Sequence, residues 1–380
     1  MDFDYVVAPG LILLVAVLIS GLCLHRMLVR INRYGKWRRI SERVVLSLVF
    51  FFAVAVGGST TFNALAIHHY RAIYPAPGSF YGVNGHNMHL YCTGDGSPTI
   101  ILDAGLGNDS LIWGKVQLEL SRTTRVCSYD RAGYGWSDPR SGPRDADRIA
   151  DELHMLLTQA GVTGPTVLMG HSIAGIYIRA YATRYPQDLA GLIFVDGSTP
   201  LQEERAEFKA VASKGPNPTF VRLLMKPVFI LGIPRIMGVC SHPMPSFEAH
   251  AGKILAEDQC RAPITAMGLE FESIKQSGNE TIHSGPYGSL PILIFSHDPD
   301  TPLPFQVPRK LEREYATMWN QMQEDLKNLS TRSRRIVAKG SGHYIQIDRA
   351  DLLNMEVPIF IEQIRGPASQ PTNYGSTRTE

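Results

Sequence analysis

Two apolar stretches open the chain. Residues 5–24 (YVVAPGLILLVAVLISGLCL) and 44–67 (VVLSLVFFFAVAVGGSTTFNALAI) contain no charged side chain. As helices rising about 1.5 Å per residue, both are long enough for a hydrocarbon core of roughly 30 Å. The connector carries Arg26, Arg30, Arg33, Lys36, Arg38, Arg39 and Arg43, opposed only by Glu42. A short basic loop between two spans stays on the cytoplasmic side. The pattern therefore predicts a membrane hairpin over residues 1–70, with the N-terminus and everything after residue 70 on the extracytoplasmic side. A competing reading makes one segment a signal sequence. The first lacks a basic leading region, whereas the second ends in Ala64-Leu65-Ala66, a peptidase-like site whose cleavage leaves the main domain on the same side.

From residue 78 the pattern changes to short strands alternating with helices. FYGV and HNMHLYCTG flank Asn84-Gly85, a strong hairpin signal. Continuous apolar runs at 98–105, 125–133, 165–170, 189–197, 290–296 and 334–340 read as strands. Ile149, Leu153, Leu156 and Leu157 share one face of a helix over 145–160, which Gly161 stops. Further helices are expected at 173–185 and 349–364. Apolar strands alternating with helices imply an α/β fold, with a mostly parallel sheet covered on both faces. Residues 198–286 break the rhythm and read as a cap inserted between core segments 78–197 and 287–365. Their apolar run, 220–238, is cut by Pro227 and Pro234 and carries charges, which argues against a third span. The tail, 366–380, has a disorder-prone composition.

Composition narrows the function classes. The chain has 380 residues, 44% hydrophobic and 19% charged, so it folds around a substantial core. Its net charge of +2 comes from the basic connector and leaves the remainder acidic, which excludes a nucleic-acid binder. No His-Glu-x-x-His or Cys-x-x-Cys occurs, so neither a metal nor another cofactor is expected. Cys92, Cys127, Cys240 and Cys260 fall in the exported part, where three pairings are open. The expected ones are Cys92 with Cys127, both in strands, and Cys240 with Cys260 in the insertion; four buried thiols are the alternative. Sequons stand at Asn108, Asn279 and Asn328.

Candidate chemistry collects at strand ends. Gly170-His171-Ser172-Ile173-Ala174 puts Ser172 on a sharp strand-to-helix turn, where only small neighbours fit. Asp298-Pro299-Asp300, with Pro304, follows the strand at 290–296. Gly340-Ser341-Gly342-His343 follows the strand at 334–340. Asp103-Ala104-Gly105-Leu106-Gly107 follows the apolar strand residues 98–102; its two glycines suggest a dinucleotide loop, but Ser110 stands where a third would be.

Over about residues 80–365, apart from the insertion, these segments resemble the α/β-hydrolase family. The order Ser172, Asp300, His343 is that family's order of nucleophile, acid and base. Ala174 departs mildly from its Gly-x-Ser-x-Gly pattern, and His297 stands where it often has Gly. Asp298 and Asp196 are rival acids, because some members take the acid from the strand ending at Val195. Leu106 and Ile173 match the residues whose backbone N–H groups form the oxyanion hole. Asp130-Arg131-Ala132-Gly133-Tyr134-Gly135-Trp136-Ser137-Asp138 is similar to proline iminopeptidase-like members. Its expected role is structural, with substrate contact by Tyr134 or Trp136 the alternative. The resemblance implies a serine hydrolase of carboxylic esters, amides or small peptides. Its competitors are a non-hydrolytic enzyme on the same triad (a lyase, haloperoxidase or acyltransferase) and a silent fold used for binding.

Overall fold

The computed structural model describes residues 7–29, 35–214, 218–242, 254, 256–257, 260, 264–302 and 307–366. Helices α1 (Ala8–Val29) and α2 (Lys36–Ile73) open the chain. Ala8–Leu28 and Trp37–Ile73 are long and apolar enough to cross a membrane. Both helices outrun the apolar stretches that predict them, because Arg, Lys and Glu propagate a helix as readily as Leu does. The pair touches through small residues: a Cβ added at Gly57 would stand 3.0 Å from Cβ of Ala16.

After α2 comes an eight-stranded sheet in the order β1-β2-β4-β3-β5-β6-β7-β8. The hairpin forms as expected, with β1 (Ser79–Val83) antiparallel to β2 (His86–Thr93), and β2 is antiparallel to β4 (Val126–Tyr129). All other pairings are parallel, through β3 (Thr99–Asp103), β5 (Thr166–His171), β6 (Leu189–Val195), β7 (Ile292–His297) and β8 (Ser333–Ala338). The strand period of two divides the core. Ile101, Leu168, Leu192, Phe194, Ile292 and Ile294 point to one face, and α4 (Ala146–Gln159) and α5 (Ala174–Arg184) cover it. Ile100, Leu102, Val167, Met169, Ile193 and Phe295 point to the other, beneath α3 (Gly114–Leu120) and a C-terminal helix.

The insertion between β6 and β7 holds α6 (Ala206–Ala212), α7 (Pro218–Ile230), α8 (Ile233–Ile236), α9 (Ile264–Glu272) and α10 (Ile274–Thr281). Between β7 and β8 runs α11 (Arg309–Asp325), an amphipathic helix unremarked in the sequence pattern; α12 (Ile345–Asp348) and α13 (Ala350–Arg365) follow β8. The tail expected to be disordered lies, after Gly366, outside the described residues.

Cys92 and Cys127 face each other across β2 and β4, their Cα atoms 4.0 Å apart, and Cys240 and Cys260 are 5.7 Å apart. Both pairs have their sulfurs at bonding distance, in the expected pairing. Among the described residues no group of three or more His, Cys, Asp or Glu is arranged to hold a metal ion.

The strand order reverses around β3, with β4 on one side and β5 on the other. Crevices form at the carboxyl ends of parallel strands where such a reversal occurs. Residues 104–107 leave β3 there, and Ser172 leaves β5 beside them.

Candidate active site

The turn after β5 is strained. Ser172 has φ +55°, a left-handed conformation that L side chains rarely adopt. Crowding fixes its neighbours: a Cβ at Gly170 would lie 2.9 Å from the Ala174 carbonyl oxygen, and one at Gly175 2.9 Å from Cα of Gly197. Ser172 N–H donates to Val195 O (3.2 Å), and Ser172 O accepts from Gly175 N–H (2.9 Å) and Ser198 N–H (2.8 Å). The backbone is thus held at both sides while the hydroxyl stays free of it.

That hydroxyl lies 2.9 Å from Nε2 of His343. His343 Nδ1 lies 2.6 Å from Oδ2 of Asp196. The structure therefore brings Ser172 and His343 together, but the acid expected at Asp300 is corrected to Asp196. The Asp300 carboxylate is 88% exposed and has Lys339 Nζ at 3.8 Å. Asp298 serves the loop instead: it accepts from Gly340 N–H (2.9 Å) and Lys339 (3.1 Å), and so ties the segment that carries His343 to the end of β7. Asp196 follows β6, the strand next to β5, and has φ +48°. Chain order alone does not separate the two, since both acids lie between Ser172 and His343.

Two partners of Asp196 went unanticipated. His297 Nδ1 lies 2.8 Å from Oδ2, with its backbone N–H 3.1 Å from Oδ1, and Trp319 Nε1 of α11 donates to Oδ1 at 3.0 Å. A signal for α11 exists in the sequence, because Leu311, Tyr315, Met318 and Met322 repeat at helical spacing beside Trp319. Burial alone would raise the Asp196 carboxyl, but hydrogen bonds from His297 and His343 outweigh it and hold the group far below the carboxylate range. The two imidazoles therefore hold Asp196 as the anion. For His297, burial lowers the imidazole, yet the bond to Asp196 and its charge raise it overall.

Residues 104–107 pack directly on the Ser172 turn. A Cβ at Gly105 would lie 2.7 Å from Nδ1 of His171 and 3.2 Å from Cβ of Ser172, so only glycine fits. Among the described residues, neither the Leu106 nor the Ile173 N–H donates to a protein acceptor, and both residues line the cavity at Ser172. Arg131 sets the loop from behind. Its Nη1 donates to Asp103 Oδ1 (2.6 Å) and Ala104 O (2.5 Å), and its Nη2 to Gly105 O (2.9 Å). Glu270 of α9 accepts from Arg131 Nε (2.8 Å), Tyr134 OH (3.0 Å) and Tyr177 OH (3.3 Å). Tyr134 and Trp136 therefore belong to this framework, with Asp130 accepting from Trp136 N–H (3.0 Å) and from His89 Nδ1 (2.8 Å).

The cavity above Ser172 has a volume of about 680 Å³. Leu106, Phe208, Phe271, Ile274, Tyr315 and Trp319 give it a largely apolar wall, and Thr301 and Pro302 line another side. A hydroxyl with a base at hydrogen-bond distance, a buried anion behind the base and two unspent N–H groups beside it are what acyl transfer requires.

Residues 100–356 match the sequence pattern of the alpha/beta hydrolase family. The chain belongs to that family. Curated relatives include the uncharacterized protein YqjL of Bacillus subtilis (strain 168), 23% identical over 73% of this chain and 89% of YqjL. An AB hydrolase superfamily protein of Gibberella zeae is 24% identical, over 70% of this chain and 87% of its own. Against three others, more similar over shorter segments, the chain spans only 19%, 51% and 42% of their lengths. Solved structures with the same fold include a thermophilic esterase from Thermogutta terrifontis (TM-score 0.54, 21% identity, 76% of this chain and 99% of that one). A bacterial membrane phospholipase A shares it too (TM-score 0.57, 20% identity, 86% and 99%).

Proposed function

We propose that the protein is a membrane-anchored serine hydrolase that cleaves a carboxylic ester through an acyl-enzyme on Ser172, with residues 198–286 as the cap over its site. The observation that carries this reading is the contact chain Ser172–His343–Asp196, 2.9 and 2.6 Å long, at the floor of an apolar cavity.

In this mechanism the Ser172 oxygen attacks the carbonyl carbon while its proton passes to Nε2 of His343. The tetrahedral oxyanion is held by the N–H groups of Leu106 and Ile173, fixed in place before the charge develops. The C–O bond to the alcohol breaks, and His343 gives its proton to the departing alkoxide. Water then loses a proton to the same Nε2, attacks the acyl carbon and releases the acid, and the proton returns to Ser172. Asp196 holds His343 in the tautomer with hydrogen on Nδ1 and stabilises the imidazolium. The apolar wall favours an apolar acyl or alcohol group.

The test is covalent labelling of the detergent-solubilised full chain with a fluorophosphonate, the adduct mapped by mass spectrometry. Labelling is expected at Ser172 and absent in Ser172→Ala and His343→Ala. Asp196→Asn should slow it about a thousandfold or more, whereas Asp300→Asn should leave it within about twofold. A folded protein that takes no label at Ser172 would overturn the mechanism. A large loss in Asp300→Asn with none in Asp196→Asn would overturn the choice of acid.

A further inference from the structure

Helix α2 makes polar contacts with the insertion, not only with α1. Asn63 Nδ2 donates to Phe229 O (2.8 Å) and Ile230 O (3.3 Å), and its Oδ1 accepts from Arg235 Nε (3.1 Å). Ser59, one turn earlier, hydrogen-bonds Leu231 O, and Tyr70 OH donates to Ile254 O (2.9 Å). The fit is close: Gly232 has φ +67°, and a Cβ there would lie 2.6 Å from Cβ of Asn63. The end of α7 and the start of α8 are thus latched to a fixed height on α2.

That height can be read from the sequence. Arg43 is the last charge of the basic connector, and Asn63 stands twenty residues later with no charged residue between. Twenty helical residues rise about 30 Å, the thickness of a hydrocarbon core. With Arg43 at one boundary, Asn63 lies at the other, Ser59 lies about one turn inside it, and any tilt of α2 carries both deeper.

The insertion is apolar where it meets this level. Met237 is 74% exposed, and Ile236 and Val239 are more than half exposed. Leu223 and Leu224, equally open, extend the surface along α7. Two charges near it have partners among the described residues: Arg235 pairs with Glu257 (2.6 Å), and Lys226 reaches Thr265 of α9 (3.2 Å). Exposed apolar patches mark contacts with a partner or a membrane, and the level of this one on α2 selects the membrane.

We infer that this face, Leu223, Leu224, Ile236, Met237 and Val239, is immersed in the same lipid bilayer that α2 crosses, in the leaflet opposite the basic connector. The inference rests on the membrane-anchored reading. It brings the bilayer within two helices of Ser172, since α7 packs on α9, and α9 sets Phe271 in the cavity wall and Met267 against residue 107.

The experiment uses the full chain with Cys23→Ser, folded with its disulfides intact and reconstituted in phosphatidylcholine nanodiscs. Single cysteines replace Leu48 (within α2), Met237 or Lys310 (on α11), and each carries an environment-sensitive fluorophore. Doxyl-labelled phosphatidylcholine is then added as quencher. Quenching at 48 and 237 but not at 310 is expected, with the 237 label quenched at least about half as strongly as the 48 label. Quenching at 48 with none at 237 overturns the inference and leaves the anchor standing. No quenching at 48 overturns the anchor, and the inference falls with it.

Discussion

At the residue scale, burial of unpaired polar groups around Ser172 sets conditions on pH. His171 is buried against Trp113, and its Nε2 lies 3.0 Å from the His343 carbonyl oxygen, to which it donates. Burial, and then the positive charge of His343 when protonated, push its imidazole down to about 3. An unfolded histidine titrates near 6.5. Between pH 6.5 and 3 the unfolded chain therefore binds a proton that the folded one refuses, and stability falls as pH is lowered through that window. The slope is about 1.4 kcal/mol per pH unit, so lowering the pH to 5 costs about 2 kcal/mol from this group. His171→Gln keeps a donor for the His343 carbonyl and cannot titrate. Denaturant melts at pH 7 and pH 5 should show the parent losing about 2 kcal/mol more than the variant. Equal losses would mean that His171 is protonated in the fold. The residue scale is also where reading the sequence reached its limit. Ser172 and His343 stand out through small neighbours and strand ends, and Leu106 and Ile173 only through the resemblance to the family. Asp196 does not, because what distinguishes it from Asp300 is adjacency of β6 to β5 and the converging donors His297 and Trp319. Those are facts of packing, distant in sequence.

At the element scale, α9 joins the insertion to the sheet through one buried carboxylate. Glu270 is fully buried and neutralises Arg131, whose other donors hold the carbonyl groups of residues 104 and 105. Replacing it by Ala leaves a guanidinium facing a single Asp103, and breaking a buried pair from one side costs about 3 kcal/mol or more. Chemical denaturation of Glu270→Ala should register that loss. Glu270→Leu combined with Arg131→Met should recover part of it, because no buried charge is left unpaired. Loss that is larger in the double variant would show that Arg131 is held by its other acceptors alone. Most elements were legible, since apolar runs of strand length and helical repeats mark them without tertiary information. Helix α11 escaped because its charged surface face, Arg309-Lys310 and Glu312-Arg313-Glu314, masks the stripe that covers Asp196.

At the scale of the whole molecule, the proposed anchor places α2 between the basic connector and the sheet domain, and the charge asymmetry predicts a cytoplasmic connector with the sheet domain on the other side. Single cysteines at Ser41 and Lys310, again with Cys23→Ser, should respond differently to a membrane-impermeant maleimide. Position 310 is expected to react in intact cells and position 41 only after lysis; the reverse would invert the orientation. Because the carboxylate on His343 follows β6 rather than β7, the 298–302 turn lies outside the proposed proton relay, yet Thr301 and Pro302 line the cavity above Ser172. On the proposed mechanism, cavity shape and proton transfer therefore depend on separate segments. Random libraries confined to 301 and 302 should drift in substrate preference while every member keeps the same reactive serine, which makes this turn the natural place for evolution, or a designer, to begin.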